Sequence, residues 1–158
     1  MAKLVDVMVY LCKAYPKKSD LSNARLTKLI YLADWRSALV NGRQITDIKW
    51  VFDQFGPFVF DVKDTAAAHP EIFDIEETKT VLGSPKTIIW LKDEHYEYEL
   101  DPEEEETLDW VIEKSRQMDW SRFIRLVYST YPILSQERGT ELNLVELGAE
   151  YKKTELVT

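Results

Sequence analysis

Residues 26–62 read LTKLIYLADWRSALVNGRQITDIKWVFDQFGPFVFDV, and the spacing of their apolar residues changes partway along. At first Leu26, Leu29, Ile30, Ala33 and Val40 recur every three or four positions, the spacing of one helical face. Leu32, Trp35 and Leu39 widen that face until little of the helix is free of apolar groups, which predicts a central helix touched on several sides. Asn41-Gly42 supplies a left-handed stop. From 45 to 55 the period becomes two, with Ile48, Trp50 and Phe52 on one side and Val51, Asp53 and Phe55 on the other, so a strand is expected. Gly56-Pro57 breaks that strand. Proline suits a first helical position, so a helix is expected over about 57–68.

Working outward, residues 3–15 place Leu4, Met8, Leu11 and Tyr15 on one helical face, ended by Pro16. Ser22 or Asp20 is the expected N-cap of the central helix. Beyond residue 70, Ile72–Glu76, Lys86–Leu91 and Tyr96–Leu100 read as strands separated by turns at Gly83-Ser84-Pro85 and Asp93-Glu94. Asp101-Pro102 followed by Glu103–Glu106 is a strong helix start, because the aspartate caps and the glutamates meet the positive end of the helix dipole. Further helices are expected from Asp119 to before Pro132, and from Leu142 to about Tyr151. Helices at both ends around a small central antiparallel sheet of three or four strands make an α+β fold, taken as a single domain over 1–158.

The 158 residues are 45% apolar, enough to fill one core, and no apolar run approaches the length of a membrane span. The N-terminus has no apolar signal core. A soluble, cytoplasmic protein is the expectation. Residues 1–43 hold eight Lys/Arg against Asp6, Asp20 and Asp34, whereas the remainder holds twelve against twenty-five Asp/Glu. An acidic balance of this kind disfavours nucleic acid, whose binding needs cations to displace counterions, and suits a basic protein partner. DNA binding through Arg25, Lys28, Arg36 and Arg43 is the minority alternative, and it requires all four on one exposed face.

Catalytic and metal-binding patterns are weak. Cys12 stands alone among apolar helix neighbours and reads as a packed residue rather than a nucleophile. His69 and His95 have no paired-ligand spacing, so neither a metal nor another cofactor is expected. The scattered glycines build no phosphate-binding loop. Asp34 lies inside the most apolar helix, where a carboxylate either finds a nearby donor such as Arg36 or Lys28 or acquires a raised pKa. The enzymatic alternative is a hydrolase or transferase using Asp34 or Asp61 with His69. No catalytic residue is assigned, and the chain is read as a non-enzyme.

Aromatic density after the central helix is unusual. Tyr31, Trp35, Trp50, Phe52, Phe55, Phe58 and Phe60 fall close together, alongside Arg36 and Gln54. Aromatics and arginine anchor protein interfaces, so Tyr31, Trp35, Arg36, Trp50, Phe52, Gln54, Phe55 and Phe58 are the candidate partner-binding residues.

Residues 26–62 resemble the core of the Panacea, or SocA-like antitoxin, domain. The likeness rests on a K-L-x-Y-x-A helix followed by an aromatic strand with a Gly-Pro step, here Lys28, Leu29, Tyr31, Ala33, Trp50, Gly56 and Pro57. Tyr128-Ser129-Thr130-Tyr131-Pro132 resembles the segment that closes the family's penultimate helix, with Pro132 as the matching proline. Phe55 stands where many members carry tyrosine, and Ile133 where they often carry tryptophan. The resemblance implies a non-enzymatic antitoxin that neutralises an unrelated toxin by direct binding, in some members with delivery to a protease. The implied partner is a cognate toxin encoded by the adjacent gene, with prophage or mobile-element context and homo-oligomers as open alternatives.

Overall fold

The computed structural model of the chain describes the backbone of residues 1–157 and the side chains of residues 1–155. Helix α1, Leu4–Ala14, leads through a single 3-10 turn at Lys18–Asp20 into the long α2, Asn23–Asn41. Ser22 is the N-cap of α2, its hydroxyl accepting from the Arg25 N–H at 3.1 Å, while Asp20 belongs to the preceding turn. At the other end Gly42 adopts φ +72°, the left-handed stop expected there. Helix α2 packs against α1 and against helices and strands from the rest of the chain. Its side chains are buried on nearly all sides from Arg25 to Ala38, which accounts for the breadth of its apolar face.

Strand β1, Trp50–Asp53, is shorter than the expected 45–55. The connection before it is tied to Asp34 rather than to a neighbouring strand. Its alternation is as read: Ile48, Trp50 and Phe52 point into the core, and Val51, Asp53 and Phe55 point out. The helix expected from residue 57 begins instead at Asp61, as α3, Asp61–Ala68. Gly56–Phe58 forms strand β2 and turns back on β1 with Val51 opposite Phe58 and Phe52 opposite Pro57. Gly56 permits this turn because its φ is +95°, a region that L side chains rarely adopt. Proline is tolerated in β2 because β2 is an edge strand and needs no further N–H donor there.

Strands β3, Phe73–Lys79, and β4, Pro85–Leu91, form a separate antiparallel hairpin. The single central sheet of the sequence reading is therefore two small sheets, β2-β1-β5 and β3-β4. Tyr96–Leu100 forms no strand. Its alternation is real, but the partner is helix α1: the Tyr96 hydroxyl donates to the Asp6 carboxylate at 2.8 Å, and the Tyr98 ring meets Tyr10 edge-on at 5.3 Å.

Helix α4, Pro102–Ser115, starts with the expected cap made reciprocal: Asp101 accepts from the Glu104 N–H, and the Glu104 carboxylate accepts from the Asp101 N–H. Helix α5, Trp120–Tyr128, is capped by Asp119 and is followed by the short α6, Tyr131–Ser135, with Pro132 in its first turn. Strand β5, Glu141–Leu142, pairs Leu142 with Trp50. The last helix, α7, Leu144–Val157, thus starts two residues later than expected and runs longer. The fold is α+β, with helices flanking small antiparallel sheets, and its apolar core draws on elements from α1 to α7. Among the described residues no helix is long and apolar enough to cross a membrane.

Candidate partner-binding surface

Asp34 organises the approach to β1. Its carboxylate is fully buried and accepts the N–H groups of Ile45 and Thr46 at 2.9 Å, the Thr46 hydroxyl at 2.6 Å, the Trp50 indole N–H at 2.9 Å and the Gln44 amide at 3.4 Å. Burial pushes its pKa up to about 6, against the opposing pull of these bonds. The nearby donors expected for it are found, in the Gln44–Trp50 segment and not in Arg36 or Lys28. Asp34 is therefore a staple between α2 and β1. The proposed pairing with Asp61 and His69 has no shared site: Asp61 is exposed at the start of α3, and the His69 ring Nδ1 lies 2.9 Å from the Thr65 carbonyl at its end.

The candidate aromatics divide between core and surface. Tyr31 and Trp50 are fully buried, their rings edge to face at 5.5 Å, and the Tyr31 hydroxyl shares a 2.8 Å hydrogen bond with Thr130. Trp35 and Phe52 are nearly as enclosed. Tyr31, Trp50 and Phe52 are corrected from partner contacts to core residues, because α2, β1 and the α5–α6 link close over them, while Trp35, largely buried beside Tyr151 of α7, keeps one edge on a surface groove. Leu29 and Ala33 lie in the same core. Pro57 and Pro132 are also buried, so most of the motif builds the scaffold.

What reaches the surface is the β1–β2 hairpin and its sequel. Gln54 and Phe55 form the tip, with Phe55 71% exposed. Phe58 is half-buried, and its ring meets Phe60 edge-on at 5.2 Å. Phe60, outside the eight candidates, is 70% exposed. Its signal was present in the sequence as one more aromatic of the cluster. The hairpin is held from behind: a Cβ added to Gly56 would lie 3.4 Å from the Tyr128 ring, so glycine lets the turn approach α5 closely.

Lys28 stands at the base of this hairpin. Only 3% of the residue is exposed, and its ammonium lies 5.9 Å from the centre of the Phe58 ring. Burial holds its pKa down to about 8, partly offset by the charge of Asp53. No carboxylate of the described residues lies within 4 Å of it, and every side-chain N or O atom closed off from solvent has a hydrogen-bond partner. Lys28 has no such bond, so the accessible sliver includes its ammonium.

The basic face required for DNA binding is not formed. Arg25 is buried, donating to the Tyr15 hydroxyl and the Met118 carbonyl and stacking 4.7 Å from the Phe123 ring centre. Lys28 is buried as described, and Arg43 pairs with Glu103 at 2.6 Å. Cys12 is packed in the core, with its thiol pushed up to about 12 by burial.

Neither the curated proteins nor the solved structures offer a match to the chain. A family model described as "Antitoxin SocA-like, Panacea domain" matches residues 26–132, from the first core leucine of α2 to the proline of α6. That span takes in α2 with its Asp34 staple, both hairpins, α4 and α5. The chain belongs to the SocA-like antitoxin family of Panacea domains.

Proposed function

We propose that this protein is a non-enzymatic antitoxin that neutralises a partner toxin by covering its surface. Residues 1–158 act as one domain in this reading, because α1 and α7, outside the matched span, contribute to the same apolar core. The observation that carries the proposal is the pair Phe55, at the tip of a hairpin whose backbone is fixed by pairing, by Gly56 and by the Asp34 staple, and Phe60, just beyond that hairpin at the start of α3, each about seven-tenths exposed. Large apolar rings held in solvent on a rigid support have the character of interface anchors. Gln54 and Phe58 complete the hairpin contact set drawn from the candidates, and Lys28 offers its ammonium to an acceptor on the partner; Arg36 lies apart from the hairpin, over the Trp110 ring of α4. Acidic groups over the rest of the chain speed encounter with a basic partner. The toxin is the product of the adjacent reading frame, met in the cytoplasm. Delivery of the bound toxin to a protease is a downstream use of the same complex.

Calorimetric titration of the purified chain with that product tests the reading. Phe55→Ala and Phe60→Ala should each weaken binding by more than about 1 kcal/mol, as truncated anchors do. Unchanged affinity in both variants removes the hairpin from the interface.

A further inference from the structure

A groove of about 510 Å³ lies on another part of the surface, between α2, α4, α6 and α7. Leu32, Trp35, Arg36 and Leu39 of α2 line it. Their spacing, i, i+3, i+4 and i+7, is the row on which a second helix packs. Trp110 of α4 forms one wall, partly exposed, and Leu134 of α6 stands on the rim, 72% exposed. On the α7 side, the Tyr151 ring meets Trp35 at 6.2 Å and Tyr131 at 5.2 Å.

The charges around this trough are ordered. Arg36 lies over the Trp110 ring at 4.2 Å, and the Lys114 ammonium lies 5.7 Å from the same ring centre. Neither cation is within 4 Å of a carboxylate among the described residues, although the chain has 28 acidic residues. Stacking fixes the guanidinium plane and leaves its N–H edges available to a carboxylate. The groove is thus apolar along its floor and cationic on the α4 side.

We propose that this groove receives an amphipathic helix of a partner protein, its apolar stripe seated on α2 and its carboxylate-bearing edge against Arg36 and Lys114. Helix-in-groove docking of this kind reads the ligand through apolar anchors at i, i+3, i+4 and i+7. The two cations on the α4 side set which flank of such a helix carries its carboxylates. This surface is additional to the hairpin proposed above.

The test uses a displayed library of helical peptides selected on the immobilised full-length protein, followed by fluorescence anisotropy with the enriched peptides. These should share the apolar stripe with Asp or Glu along one flank. The R36E/K114E double variant should bind them at least tenfold more weakly, and a peptide with those acids changed to Lys should recover binding to it. Leu134→Asp, at an exposed site that does not threaten folding, should also weaken binding, whereas Phe55→Asp should leave it unchanged. Enrichment of peptides without the acidic flank, equal binding to the charge-reversed protein, or no enrichment overturns the proposal. So does a wild-type dimer that Leu134→Asp splits, because a second copy then occupies the groove. The assay contains no toxin, so its outcome is separable from neutralisation through the hairpin.

Discussion

Replacing Asp34 with alanine removes the acceptor of three N–H groups at once, those of Ile45, Thr46 and the Trp50 indole, all on buried residues. A buried donor left without a partner costs about 1–3 kcal/mol. At pH 7 the expected loss is about 3 kcal/mol, the low end for three groups, because water entering the vacated space meets part of the demand. For a chain of this length that corresponds to a fall in Tm on the order of 10 °C. The loss depends on pH with a defined sign. The folded chain holds the Asp34 proton up to about pH 6, whereas the ordinary carboxyl value is 3.8. The stability this group contributes is therefore fully present below pH 3.8 and declines by about 3 kcal/mol as the pH rises from there through about 6, above which it levels off. Alanine lacks that slope, so the difference between the two proteins should be widest near pH 4 and narrowest at pH 7. Urea unfolding followed by tryptophan fluorescence at several pH values measures it. A difference below 1 kcal/mol throughout, or one that widens as pH rises, refutes the staple.

Other perturbations separate scaffold from surface. Lys28→Met removes a charge that burial disfavours, so Tm should hold or rise in a thermal melt while affinity for the toxin falls by calorimetry; unchanged affinity removes Lys28 from the interface. Gly56→Ala places a Cβ at φ +95° against the Tyr128 ring and should cost about 1–2 kcal/mol in denaturant unfolding; a neutral result contradicts the account of the turn. Association with the toxin, followed by stopped flow, should slow as ionic strength rises, and a flat rate refutes electrostatic steering.

Much of the scaffold was legible because local signals and tertiary demands agree in it. Ser22, Asp101 and Asp119 cap the helices whose starts they mark, and the period-two pattern puts Ile48, Trp50 and Phe52 on one side of β1, which burial shows to be the inward one. Gly56-Pro57 was ambiguous because proline suits both a helix start and an edge strand, and only the pairing of Phe58 with Val51 decides between them. Tyr96–Leu100 alternates as a strand does, yet its half-buried residues lie on α1. The staple was half visible: Asp34 stood out in an apolar helix, but two of its donors are peptide N–H groups, which no side-chain pattern announces. The period of two separates Phe55 from Trp50 and Phe52 without saying which side faces out, and the exposure of Phe60 depends on how β2 leads into α3. The groove was hidden because Trp110, Leu134 and Tyr151 come from three separate helices and meet only in the folded chain.

The most direct test of antitoxin action is growth of cells expressing the product of the adjacent reading frame together with this protein. The wild-type chain should restore growth, and the F55D/F60D variant, present at equal abundance and equally folded, should fail to do so. Rescue by that variant equal to the wild type, or no rescue by the wild-type chain, would contradict neutralisation through the β1–β2 hairpin.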